Sequence, residues 1–211
     1  MSEGNGTNST TNNASNTGGF FQGFETWKSP MPKDVAPALK VGFFAPSTAQ
    51  LPLPDGRLTI VVFLRHAGCP FAEKTFRTLA ALSDKHKDIH CIAVSHSSMA
   101  ATDAWLPQIG GSWLVDIIID DERDLYAQWG LGITTTWHVA NPATLWSAMR
   151  LAKDENIWNR NATSGSRWQL SGAFAVDRGG IIRWVHVGRT ADDLADLNAA
   201  VESLSAEPTP L

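Results

Sequence analysis

The chain has 211 residues, 43% of them hydrophobic, which is enough for one ordinary core and predicts a single domain with a terminal extension. Its formal net charge of -4, without any basic run, argues against nucleic acid or an anionic membrane as the main partner. Two cysteines, no signal peptide and no apolar run long enough to cross a bilayer predict a soluble protein of a reducing compartment, which we take to be the cytoplasm.

The N-terminal quarter of the chain divides into two stretches. Residues 1–19 are mostly Gly, Asn, Ser and Thr, and this polar composition predicts a disordered tail because it has almost nothing apolar to bury. Residues 20–57 mix aromatic side chains with many prolines, which exclude long helices. We therefore expect 20–57 to be an extension of extended pieces or a hairpin that packs on the core.

The central element of the prediction is a strand followed at once by a helix. Residues 58–64 form a continuous apolar run, which is typical of a strand covered on both faces. Pro70 suits the first helical position, so Cys69 becomes the N-cap residue. The sulfur of Cys69 would lie near unpaired N–H groups and the positive end of the helix dipole, which favours a thiolate.

The rest of the chain continues the alternation of strands and helices, which predicts an α/β sandwich. The predicted strands are 89–95, 115–119 and the hairpin 173–176 and 181–187, and the predicted helices are 99–109, 120–129 and 191–204. An insertion at about 134–167, with a helix around 145–151, interrupts this order. Such a segment is either an active-site lid or an inert decoration packed on the surface. The core domain is thus predicted over 58–204, with a short tail at 205–211.

This order of elements is that of the thioredoxin fold, and three motifs extend the likeness. They are RHAGCP at 65–70, AVSHS at 93–97 and GAFAVDRGG at 172–180. Through them the chain resembles the peroxiredoxin-like branch, the alkyl hydroperoxide reductase and thiol-specific antioxidant proteins, over about 41–204. The resemblance implies a thioredoxin-like α/β sandwich with a mixed central sheet. It also implies antioxidant oxidoreductase activity on peroxides through Cys69, with an external thiol such as glutathione or thioredoxin as reductant.

The chain departs from the family pattern at several positions. His66 stands three residues before the cysteine, where a peroxiredoxin has Thr or Ser, and Val62 stands where it has Pro. The arginine that the family places just ahead of the hairpin is missing, and Arg65 or Arg167 is a candidate substitute. Ala72 occupies the place of the second cysteine of a CxxC motif, so the motif offers no internal dithiol.

The two cysteines have different predicted roles. Cys69 follows the carboxyl end of a central strand, where α/β folds expose ligands, so we favour a functional thiol over a small core side chain. Cys91 lies early in a parallel strand, displaced by four residues or roughly 13 Å from the strand ends, and is predicted to be core. No disulfide between them is expected.

Several polar side chains are candidates for the same sheet edge. His66 faces the thiol across the turn and could take its proton, and Arg65 and His96 could bind substrate beside it. Gln169 and Ser171 precede a strand that should return to this edge. A metal site is disfavoured because no CxxC or HxxxH pair is present, and no cofactor is predicted.

Two further residues complete the candidate list. Trp137 belongs to the insertion and is either part of a lid over the substrate or core packing. Glu73, one helical turn after the cysteine, would oppose a thiolate and is predicted to be a salt-bridge partner.

Three functions remain open from the sequence. The first is a one-cysteine thiol oxidoreductase that reduces a peroxide or related electrophile through Cys69. The second is a reused thioredoxin fold, in which Cys69 and His66 act on a small apolar molecule by nucleophilic or acid–base chemistry. The third is a non-catalytic binding protein. In the first two cases the partner is a small-molecule substrate, and the oligomeric state is open, with a homodimer as one form.

Overall fold

The computed structural model describes residues 25–27, 29–135, 137–138 and 141–206. The predicted disordered tail at 1–19 and most of the predicted C-terminal tail lie outside these ranges. No helix in the described ranges is long and apolar enough to span a bilayer.

The fold is built on one mixed sheet of five strands. These are β1 (Leu58–Phe63), β2 (Ile89–Ser95), β3 (Val115–Ile119), β4 (Gly172–Val176) and β5 (Ile182–Val187). Their order is β3-β2-β1-β4-β5, with β2 parallel to β1 and β3, and β4 antiparallel to β1 and β5. This arrangement confirms the predicted α/β sandwich and places the strand before Cys69 at its centre.

The α-helices with bounds inside the described ranges surround the sheet; they are α1 (Pro70–Lys85), α2 (Met99–Trp105), α3 (Asp124–Gln128), α4 (Pro142–Glu155) and α5 (Leu197–Ser205). Short 3-10 turns cover Glu25–Trp27 and Leu106–Ile109. The second of these follows α2 because Pro107 cannot donate the next helical hydrogen bond. The prediction of one helix over 99–109 is therefore wrong in its last turn.

Two other helix starts differ from the sequence prediction, and in both cases an aspartate carboxylate explains the boundary. Asp120 accepts hydrogen bonds from the backbone N–H groups of Asp124 and Tyr126, so the chain makes a turn before α3 begins. Asp196 accepts from the N–H groups of Asn198 and Ala199, which starts α5 six residues later than the predicted Ala191.

Alternate residues of β1 pack on opposite faces of the sheet. Ile60 and Val62 face α1 and α5, whereas Val61 and Phe63 face the cluster that contains Tyr126. Both faces are covered, as the continuous apolar run of this strand predicts. The Pro-rich stretch packs on the second face through the buried side chains of Leu51 and Leu53.

Candidate active site

Cys69 lies at the junction between β1 and α1. After the strand ends, the chain turns so that the Cys69 N–H donates to the His66 carbonyl at 3.1 Å, and Pro70 begins the helix. Cys69 is the N-cap residue, as predicted, but its side chain makes no capping hydrogen bond. The residue is only 5% exposed. Most of the Cys69 surface is therefore shielded from solvent by the surrounding chain.

Residues 157–168, which we call the covering segment, pack over the loop that carries Cys69. The Arg160 N–H donates to the Gly68 carbonyl at 2.9 Å. A Cβ added at Gly68 would lie 2.8 Å from the Arg160 carbonyl oxygen, and one added at Gly165 would lie 2.8 Å from the His66 Cβ. Both glycines have φ above +80°, so they permit a turn and a close approach that a side chain would block.

His66 is the histidine next to the thiol loop, and it is 1% exposed. Neither ring nitrogen has a hydrogen-bond partner among the described residues. Burial, and then the positive charges of Arg167 and Arg65, hold the pKa of His66 well below its usual value. The ring is therefore neutral near pH 7, with one donor and one acceptor nitrogen available to a substrate.

Two arginines lie at the same loop without a carboxylate partner. Arg65 is 3% exposed and donates from Nη2 to the Arg167 carbonyl at 2.6 Å. Burial lowers the pKa of Arg167, and the charge of Cys69 opposes this shift, which brings Arg167 into the electrostatic environment of the thiol. Neither arginine belongs to an ion pair in the described part of the chain. The loop that carries Cys69 therefore has two guanidinium groups whose charge no carboxylate of the described ranges balances.

Glu73 is compensated by other arginines. Its carboxylate is 1% exposed and forms ion pairs with Arg77 Nη2 at 2.5 Å and Arg160 Nε at 2.9 Å. The prediction that Glu73 is a salt-bridge partner is confirmed. Because two guanidinium groups neutralise it, its charge opposes a thiolate less than the sequence alone implies.

His96 uses both ring nitrogens within the protein. Its Nδ1 lies 3.3 Å from the Tyr126 hydroxyl, and its Nε2 accepts the Ser166 N–H at 3.0 Å. Tyr126 in turn donates to the Leu64 carbonyl at 2.6 Å. Burial lowers the pKa of His96 to about 4, so the ring is neutral. His96 thus connects the strand ends to the covering segment, and its predicted contact with substrate stays a prediction.

The remaining predicted residues are separated by the structure. Gln169 is buried and donates from Nε2 to the Leu131 and Gly132 carbonyls at 2.8 and 3.0 Å, which fastens two loops together. Ser171 lines a small cavity of about 20 Å³ together with Arg65. Trp137, by contrast, is 70% exposed on the surface.

The residue after Trp137 is His138, which the sequence offers, like Trp137, as part of a lid or of the core, and it is the one that lies inward. His138 is 4% exposed, with Nδ1 3.0 Å from the Arg189 carbonyl and Nε2 without a partner among the described residues. Burial and then the charge of Arg65 lower its pKa. Nothing in the local sequence distinguishes His138 from its neighbour, because the difference is one of tertiary packing.

Cys91 lies inside the sheet, away from this site. Its register partner on β1 is Ile60, four residues before the end of the run at Leu64. Burial raises the pKa of the Cys91 thiol to about 12. Both cysteines are free thiols. Nowhere in the described ranges do three His, Cys, Asp or Glu side chains form a group that could hold a metal ion.

Several solved structures with a similar fold are described as peroxiredoxins or thiol peroxidases. A peroxiredoxin-like protein from Aquifex aeolicus aligns with a TM-score of 0.55 at 13% identity, covering 80% of this chain and 88% of that one. A cysteine-to-serine mutant of peroxiredoxin 6 from Arenicola marina gives 0.58 at 13% identity, covering 80% and 73%. Thiol peroxidase from Chromobacterium violaceum gives 0.51 at 15% identity, covering 85% and 94%. At these identities the likeness establishes the thioredoxin-like, peroxiredoxin-like fold alone.

The family follows from the sequence. The model of the family described as AhpC/TSA antioxidant enzyme matches residues 76–190, more than half of the chain, and the chain belongs to this family. The match begins after Cys69, so it does not itself include the cysteine motif. No curated protein sequence matches the chain.

Proposed function

We propose that the protein is a one-cysteine thiol peroxidase that reduces a hydroperoxide or related electrophile through Cys69. The observation that carries the proposal is the position of this thiol at the N-cap of α1, in electrostatic contact with Arg167, a guanidinium that has no carboxylate partner in the described ranges. Positive charge and a helix N-terminus both favour the thiolate, which is the nucleophilic form. Membership of the AhpC/TSA family supports the same chemistry.

The reaction balances with two equivalents of thiol. The Cys69 thiolate attacks one oxygen of ROOH, the S–O bond forms as the O–O bond breaks, and the leaving alkoxide takes a proton to become ROH. An external thiol then attacks the resulting sulfenic acid, which releases water and leaves a mixed disulfide. A second thiol attacks that disulfide and restores Cys69.

The reductant has to come from outside the site because Cys91 is buried in the sheet with a pKa of about 12. A small thiol such as glutathione or a dithiol protein such as thioredoxin fits this need. A solved relative in fold, yeast mitochondrial 1-Cys peroxiredoxin, is described as resolving its thiol through glutathione/thioredoxin systems, with a TM-score of 0.51 at 13% identity.

A second candidate function has one observation in its favour. The neutral, unpartnered His66 stands where a typical peroxiredoxin has a hydroxyl, beside a nearly buried thiol. This pair suits nucleophilic or acid–base chemistry on a small, largely apolar molecule. Such an enzyme would not form a sulfenic acid as part of its cycle.

The test is mass spectrometry of the reduced protein after stoichiometric hydrogen peroxide or cumene hydroperoxide, with dimedone as the sulfenic-acid trap. We expect the dimedone adduct on the Cys69 peptide, unchanged in Cys91→Ser and absent in Cys69→Ser. A Cys69 that oxidises no faster than glutathione would contradict the peroxidase proposal and leave the second candidate.

A further inference from the structure

The 3-10 turn Glu25–Trp27, far from the site in sequence, lies directly against Arg167. Thr26 is fully buried, and its hydroxyl accepts a hydrogen bond from Arg167 Nε at 3.0 Å. The Thr26 carbonyl also accepts the Arg167 backbone N–H at 3.0 Å. One residue therefore binds both the main chain and the side chain of the same arginine.

Trp27 adds a second contact to the same guanidinium. Its ring centroid lies 4.8 Å from Arg167 Cζ, within the range of a cation–π interaction. The ring also packs edge-on against Trp168 at 5.9 Å, and the Trp168 Nε1–H donates to the Trp27 carbonyl at 3.1 Å. The turn is thus fixed to two consecutive residues of the covering segment.

These contacts occupy only part of the Arg167 guanidinium. Nε is bound by Thr26 and one side of the guanidinium faces Trp27, whereas Nη1 and Nη2 make no hydrogen bond to any described residue. Arg65 holds the Arg167 carbonyl from the other side. The contacts order the long Arg167 side chain, which has several rotatable bonds, before any substrate arrives. This lowers the entropy cost of holding its guanidinium in place during the reaction.

We propose that residues 25–27 act as an N-terminal clamp that orients Arg167 toward Cys69, with Thr26 and Trp27 as positioning residues. The proposal rests on the proposed function, in which Arg167 stabilises the attacking thiolate. The segment before the core domain then contributes to the site, because Thr26 supplies a hydrogen-bond acceptor for Arg167 and Trp27 supplies an aromatic face. Neither clamp residue touches the thiol itself.

The test uses the full-length protein and compares Thr26→Val with Thr26→Ser. Valine removes the hydroxyl acceptor but keeps the size and the backbone carbonyl contact, whereas serine restores the hydroxyl. The readout is the rate of iodoacetamide alkylation of Cys69 as a function of pH, which needs no peroxide activity. Charged and titratable groups around the thiol, all retained in these variants, are Arg65, His66, Glu73, His96, Arg160 and Arg167.

We expect Thr26→Val to slow alkylation near neutral pH by about tenfold and to move the profile to higher pH, since about 1.4 kcal/mol of lost thiolate stabilisation is a factor of ten. Thr26→Ser should restore the wild-type profile. Trp27→Ala should slow the reaction less, and Trp27→Phe, which keeps an aromatic face, less still. Met31→Ala, at a residue 81% exposed, is the control and should change nothing.

A double-mutant cycle with Arg167→Gln separates positioning from a general effect on the fold. If Thr26 acts through Arg167, then Thr26→Val has no further effect once the arginine is gone. Equal effects in both backgrounds, or a wild-type profile in Thr26→Val, would overturn the clamp. If Thr26→Val slows alkylation but peroxide produces no sulfenic acid at Cys69, the result contradicts the peroxidase function and leaves the clamp in place.

Discussion

At the scale of single residues, the site is defined by which arginines have acidic partners. Arg77 and Arg160 are paired with Glu73, whereas Arg65 and Arg167 are in no ion pair of the described ranges. The thiol loop therefore carries uncompensated positive charge. Burial, and then this charge, lowers the pKa of His66, because both make a second cation at the loop unfavourable.

His96 gives this electrostatic arrangement a measurable consequence for stability. Its pKa is about 4 in the folded protein and 6.5 in a model peptide, so the unfolded chain binds the proton first as pH falls. The stabilisation is complete above about pH 6.5 and is lost between about pH 6.5 and 4. A shift of this size corresponds to roughly 3 kcal/mol.

We expect urea unfolding of the wild type to lose about 3 kcal/mol more stability than His96→Gln between about pH 7 and pH 4. Glutamine does not titrate, so the pH dependence that comes from residue 96 should disappear in His96→Gln. The pH dependence that comes from His66 remains in both proteins. The same pH dependence in the two proteins would show that the pKa of His96 is not lowered in the folded state.

At the scale of elements, helix α1 holds the covering segment through one buried carboxylate. Glu73 on the helix pairs with Arg160 on the segment, 87 residues later, by two hydrogen bonds at 2.9 and 3.2 Å. Its other partner, Arg77, lies on the same helix and is more exposed. The Glu73–Arg160 pair is therefore the charged link between the two elements.

We predict that Arg160→Met lowers the free energy of unfolding by about 2 kcal/mol and speeds amide hydrogen exchange in 157–168, because a buried carboxylate loses a partner. Arg77→Met should cost less, and Arg150→Met on the surface of α4 should cost under about 0.5 kcal/mol. If Arg160→Met left exchange in the covering segment unchanged, the segment would be held by its packing alone.

At the scale of the whole molecule, the sheet keeps the two cysteines in separate chemical environments. Cys91 is 1% exposed between two strands, and its pKa of about 12 leaves about one thiol in ten thousand ionised near pH 8. Only loss of the sheet exposes it. Cys69, by contrast, lies outside the sheet, in the loop after the central strand on which the covering segment packs.

Alkylation of the native protein near pH 8 should therefore modify Cys69 and leave Cys91 unmodified, and both should react in urea. Peptide mapping by mass spectrometry distinguishes the two sites, and Cys91→Ser serves as the control. Equal rates in the native protein, or a recovered Cys69–Cys91 disulfide, would contradict the strand register that separates them.

The sequence by itself determined the order of strands and helices in this protein and the place of each cysteine in that order. The apolar run of 58–64, Pro70 after Cys69 and the alternation of strands and helices predict the sheet, the N-cap position and the buried Cys91, because these depend on local periodicity and capping. The periodic pattern does not set the start of α5, because a single side chain, the Asp196 carboxylate, decides it.

Only the tertiary structure decided which side chains meet at Cys69. Arg167 reaches Thr26 across 141 residues, Arg65 meets Arg167 across 102, and Glu73 meets Arg160 across 87. Trp137 and its neighbour His138 have opposite environments, one exposed and one buried, although they are adjacent in sequence. Periodicity in the sequence predicts which face of a helix or strand is covered. The side chains that cover it come from distant segments of the chain, and only tertiary packing determines which ones they are. The charged groups around the thiol therefore depend on the tertiary structure.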